Sequence, residues 1–126
     1  MELTRIEPPR EFRVGADGRI VLRDCAHIEL APDEQVTFTT PQGGELDVCR
    51  KAWGFYAAPS LNARLPRFGL RPALVHSRAN DTLFLLVVER GHEEAFSSYL
   101  AENDMRCVLW LDGPDALRAL AALEAR

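Results

Sequence analysis

The chain reads as an α+β fold, with antiparallel β strands first and then a β-hairpin running into a βαβα unit, all in a single domain. Three observations lead there. Residues 11–52 are short β-forming runs broken by turn signals such as Ala16-Asp17-Gly18 and Pro41-Gln42-Gly43-Gly44. Residues 71–125 alternate between apolar strand-like runs and stretches with helical spacing. The length, 126 residues, is that of one ordinary domain.

Taken in order, strands are expected at 11–14, 19–22, 25–30, 34–40 and 45–52. Their close spacing suggests one antiparallel sheet or half-barrel. Residues 53–70 fit neither the strand nor the helix period. Ser60 can cap a short helix there, which Pro66 would limit to a turn or two. Strands at 71–76 and 82–89 make a hairpin around Asn80-Asp81. Helix 92–103 opens with Glu93 and Glu94, where its dipole favours carboxylates. Ala95, Phe96, Tyr99 and Leu100 share one of its faces, and Asn103 suits a left-handed end. A strand at 106–111 follows, and Pro114 starts a last helix. Strands 82–89 and 106–111 are expected to run parallel across a right-handed crossover, with 71–76 antiparallel on the outer side of 82–89. Leu117, Leu120, Ala121 and Leu123 form a stripe expected to pack on the sheet.

An apolar fraction of 47% and a charged fraction of 27% are those of a folded protein. The N-terminal residues lack the basic-then-apolar order of a signal peptide, and Leu83 to Val88 is too short to cross a bilayer. A cytoplasmic protein without membrane contact is expected. Cys25, Cys49 and Cys107 are too far apart for a zinc site. They are expected as buried, reduced thiols. No metal and no cofactor are expected.

The formal charge is −4, but it is unevenly spread. Residues 48–80 contain no Asp or Glu and carry Arg50, Lys51, Arg64, Arg67, Arg71 and Arg78. The candidate site lies in this basic, aromatic stretch: Arg50, Lys51, Trp53, Tyr56, Asn62, Arg64 and Arg67. Guanidinium groups fork onto phosphate or carboxylate, and aromatic rings stack on a base or sugar face. The competing reading makes the aromatics core and pairs the arginines with acids elsewhere in the chain.

Residues 50 to 75, RKAWGFYAAPSLNARLPRFGLRPALV, resemble a family of small, functionally uncharacterised bacterial proteins that share an RKxWGFYAxPSLNxRL-like segment. The resemblance implies a link to neighbours that build surface polysaccharide. It implies no activity and no catalytic residues.

No other motif fixes a reaction. His27, His76 and His92 are scattered, Ser60 has no nucleophile-elbow context, and no P-loop or G-x-G-x-x-G occurs. Three readings follow, in order. The first is a binding or accessory domain with 50–71 as its contact surface. The second is a small enzyme acting on an anionic sugar or nucleotide metabolite. The third is an RNA-contacting module, which the acidic remainder of the chain disfavours. The partner is therefore an anionic small molecule or a protein, and a homo-oligomer stays open. A lysine or tyrosine perturbed in a closed pocket would favour the enzyme, and an exposed apolar patch the accessory role.

Overall fold

The computed structural model describes residues 1–125. In chain order the elements are β1 (Glu2–Val14), β2 (Ile20–Glu29), β3 (Gln35–Thr39), β4 (Glu45–Lys51), β5 (Gly54–Tyr56), α1 (Arg64–Arg67), β6 (Leu70–Ser77), β7 (Thr82–Glu89), α2 (Glu93–Glu102), β8 (Met105–Trp110) and α3 (Pro114–Glu124). The α+β class holds, with antiparallel strands first and a ββαβα unit after them. Among the described residues, no helix is long and apolar enough to cross a membrane.

The first half forms two separate sheets, β1-β2 and β3-β4-β5, where one sheet was expected. β1 also begins at Glu2, nine residues before the expected start. Pro8 and Pro9 mask it in the sequence. They fall where the β1–β2 register shifts, between Arg5 and Arg10, on a strand with a partner along one edge only. A proline is tolerated in a strand at such a place.

The β1–β2 hairpin is anchored at both ends. The Met1 ammonium lies 3.0 Å from the Glu34 carboxylate. At the tip, the Ala16 N–H donates to Asn103 Oδ1 at 3.0 Å. Gly15 has a φ of 90°, and a Cβ added there would come within 3.0 Å of that same oxygen. Asn103 thus holds the hairpin tip with its side chain, while Asp104, at a φ of 52°, takes the left-handed position expected of Asn103.

The ββαβα unit holds the core. Its sheet has the order β7-β6-β8, and both outer strands run antiparallel to β6. The expected parallel direction of β7 and β8 is therefore present, but β6 lies between them rather than outside β7. The crossover through α2 skips a strand. β6 takes the centre because it is apolar on both faces: Leu70, Pro72, Ala73 and Val75 are all buried. Pro72 fits a central strand because pairing with β8 starts only at Ala73. Its C=O, on the same side as its missing N–H, accepts from the Leu111 N–H at 2.9 Å beyond the end of the ladder.

On one face Ala73 and Val75 pack with Leu100 of α2, flanked by Leu86, Phe96, Met105, Cys107 and Trp110. Phe96 meets Trp110 edge-on, with centroids 5.5 Å apart. α1, which also lies against β6, buries Leu65 completely.

Two expectations about burial fail. Cys25 is exposed, and Cys49 and Cys107 are half-buried, although all three are free thiols. Partial burial pushes the Cys107 thiol up. The α3 stripe does not pack on the sheet: Leu117, Leu120 and Leu123 are exposed, and only Ala116 is buried. Periodicity marks an apolar face but not what covers it.

Leu65→Ala is therefore expected to destabilise the protein by about 2–5 kcal/mol, as for a large-to-small change in a core. Leu120→Ala should stay within about 0.5 kcal/mol, as at a surface position. Chemical denaturation of both variants measures the contrast. Equal losses would mean that α3 is covered.

Candidate functional site

Strands β4 and β5 form a hairpin with the register Cys49↔Tyr56, Arg50↔Phe55 and Lys51↔Gly54. Only Ala52 and Trp53 connect them. So short a reversal needs a residue free of Cβ strain, and Gly54 supplies it with a φ of 149°. The turn pushes Trp53 outward to 72% exposure, the highest of the large apolar side chains. Phe55 and Tyr56 beside it are exposed as well. Within residues 53–70, read as fitting neither period apart from a short helix, β5 was not expected, while α1 is that short helix, with Pro66 inside it and the Ser60 hydroxyl accepting from the Arg64 N–H.

The hairpin splits the candidate residues between the two faces of the small sheet, because side chains of neighbouring strand residues point opposite ways. Tyr56 joins Gln35, Asp47, Cys49, Pro59, Ser60 and Arg64 around a shallow cleft of about 310 Å³. Arg50 and Phe55 border a different cleft, of about 570 Å³, with Met1, Glu2, Ile28, Glu29, Leu30 and Ala31. Arg50 places its guanidinium 5.8 Å from the Phe55 ring centre. One of its terminal nitrogens is buried without a hydrogen-bond partner. Asn62 and Arg67 are exposed and line neither cleft. Tyr56 and Arg64 thus share a cleft, Trp53 stands at the tip between the faces, and Arg50, Asn62 and Arg67 lie apart.

Four of the six cations of the basic stretch face carboxylates outside it. Lys51 Nζ is 2.5 Å from Asp33 and Arg64 Nε is 3.5 Å from Asp47. Arg78 is 3.6 Å from Asp104, and Arg71 meets both Glu93 and Asp112. Arg64 also stacks over Phe68 at 4.8 Å, and its backbone N–H donates to Ser60 Oγ at 2.8 Å. Arg67 has no carboxylate partner among the described residues. The hydrogen bond and charge of Asp33 raise the Lys51 pKa. That stabilises the ammonium, the opposite of what a catalytic base needs.

A further polar cluster lies at the C-terminal end of the 50–71 stretch, apart from the candidate residues. Arg71, at the start of β6, donates from Nε to Asp112 Oδ2 at 2.7 Å and from a terminal nitrogen to Glu93 Oε2 at 3.1 Å. A second terminal nitrogen reaches Asp112 Oδ1 at 3.4 Å. The guanidinium lies 4.0 Å from the centre of a Trp110 ring. Each of its three nitrogens donates to Asp112 or Glu93 and one face is covered, so the cluster joins elements of the fold. Glu93 is held below its ordinary range by backbone N–H groups, its own first, and by Arg71.

Among the described residues, no group of three or more His, Cys, Asp or Glu side chains is arranged to hold a metal ion. The chain matches no family model, no curated protein and no solved structure. Reasoning from the sequence missed Phe55 as an exposed neighbour of Trp53, Asn103 as the anchor of the hairpin tip, and Arg71 as a structural cation. The tight Trp53-Gly54 step after a strand was the available signal for the first.

The lowered Glu93 pKa has a pH consequence. The folded-state value lies below the ordinary 4.5, so its stabilising contribution is present above that pH and is lost as pH falls through the folded value. Thermal unfolding across the acid range should show a smaller acid-induced fall for Glu93→Gln than for the wild type. Identical pH profiles would show that the Glu93 carboxylate gains nothing on folding from the backbone N–H groups or from Arg71.

Proposed function

We propose that this chain is a binding or accessory domain that engages a protein partner through the β4–β5 tip, with Trp53 as the anchor. The exposed Trp53 carries the reading. A folded chain gains nothing by turning its largest apolar side chain into water, whereas an interface gains from burying it. Tryptophan, tyrosine and arginine are the residue types that dominate binding hot spots. Here Trp53, Phe55 and Tyr56 are exposed on one short hairpin. Two further features support a contact surface over a reaction centre: Lys51 is stabilised in its charged form, and Tyr56 borders an open, shallow cleft.

In this reading the protein works in the bacterial cytoplasm. The resemblance of residues 50–75 to proteins with neighbours that build surface polysaccharide supports a partner in that machinery. A second reading rests on the cleft where Tyr56, Ser60 and Arg64 converge, which offers stacking and donors to an anionic sugar or nucleotide. It is the weaker one, because Arg64 already faces Asp47 across 3.5 Å.

A photo-crosslinking residue at position 53 would capture the partner in cells. The purified pair then gives affinities for the wild type and for Trp53→Ala. The expected loss is about 2 kcal/mol or more, with an unchanged circular dichroism spectrum. Unchanged affinity would reject the anchor. A thermal shift with sugar nucleotides that disappears in Arg64→Ala, while Trp53→Ala keeps it, would establish the metabolite reading instead.

A further inference from the structure

β7 is the outer strand of its sheet, and its far edge is unpaired among the described residues. Exposed edges are normally blunted by lysine, proline, a bulge or a covering element. β7 has none of these. Its sequence is Thr-Leu-Phe-Leu-Leu-Val-Val-Glu, charged only at Glu89, and its register with β6 is unbroken over eight residues. Leu83 is 65% exposed and Leu85 49%, both on the sheet face opposite Leu86. The other outer strand, β8, is protected differently. It carries Arg106, its pairing with β6 contains a register shift, and α3 lies against it.

The whole molecule also exposes more surface than its size calls for. A folded monomer of 14.1 kDa should expose about 6,700 Å². This chain exposes 9004 Å², an excess of roughly 2,300 Å². A standard interface takes about 800 Å² from each partner. The excess is larger than one such share.

We propose that β7 pairs with β7 of a second copy of this chain, antiparallel about a twofold axis, and joins two three-stranded sheets into one of six strands. A second copy fits this edge better than a foreign strand because an isologous contact needs only one self-complementary surface. β7 supplies one: its edge hydrogen-bonding groups match those of an antiparallel copy, and Leu83 and Leu85 meet apolar side chains. The antiparallel sense sets the Glu89-Arg90 end of each copy beside the Asp81-Thr82 end of the other, which keeps the two Glu89 carboxylates apart and brings Arg90 towards the exposed Asp81. The contact uses neither Trp53 nor the clefts of the small sheet, so each copy keeps its β4–β5 tip free.

Sedimentation and light scattering measure the mass directly. The wild type should have twice the 14.1 kDa chain mass at micromolar concentration. The Leu83→Lys/Leu85→Lys double variant should have the single-chain mass with an unchanged circular dichroism spectrum. Leu120→Lys, on the exposed α3 stripe, should stay dimeric. Amide exchange in the wild type gives a test that needs no variant: amides of 82–89 should slow as concentration rises through the dimerisation range. A wild type that stays monomeric at about 100 μM overturns the proposal. So does a dimer that survives the β7 double variant, or one that Leu120→Lys abolishes, or exchange in β7 that is insensitive to concentration.

Discussion

The fold turns on one cation. Arg71 sits where three elements of the ββαβα unit come together: the start of β6, the first turn of α2 through Glu93, and the step from β8 to α3 through Asp112. Trp110 covers one face of its guanidinium and also meets Phe96 of α2 edge-on. Asp112 is nearly buried and Arg71 half-buried, so each charge depends on the other for what water no longer supplies. Removing the arginine would leave a shielded carboxylate without its partner at the point where α3 begins.

What rests on this joint is thin. The core proper is Ala73, Val75 and Leu100 with a partly buried ring around them, and the N-terminal hairpins add strands more than burial. The β1–β2 hairpin depends on two polar ties, Met1 to Glu34 and Ala16 to Asn103. An isolated two-stranded hairpin is marginal in water, so these ties matter more here than they would on a wide sheet. A chain built this way exposes apolar side chains at several places. The Trp53 tip, the β7 edge and the α3 stripe are distinct.

The division into early antiparallel strands and a later ββαβα unit was legible because period-2 and period-3.6 patterns are local. Strand order was not. Thr82 to Glu89 reads as a central strand because it is almost wholly apolar, yet it lies at an edge, while β6, with a proline and an arginine near its start, takes the centre. That choice depends on Pro72 lying beyond the end of the β8 ladder, a long-range fact. The candidate site was half legible. Composition drew attention to residues 50–71, and the exposed aromatics are there. Of the two readings of the charge, the structure shows Lys51, Arg64, Arg71 and Arg78 paired with acids outside the stretch, at separations of up to 41 residues that a window of sequence does not resolve into partners. Arg71 belonged to the positive count but serves the core.

The most direct measurement of this account is a double-mutant cycle between Arg71→Met and Asp112→Asn, read by chemical denaturation. If the pair joins β6 to the β8–α3 step, the coupling energy should be about 1.5–3 kcal/mol, as for charge-assisted hydrogen bonds shielded from water. A coupling below about 0.5 kcal/mol, the level of an exposed surface pair, would contradict the account and leave the unit held by its apolar contacts alone.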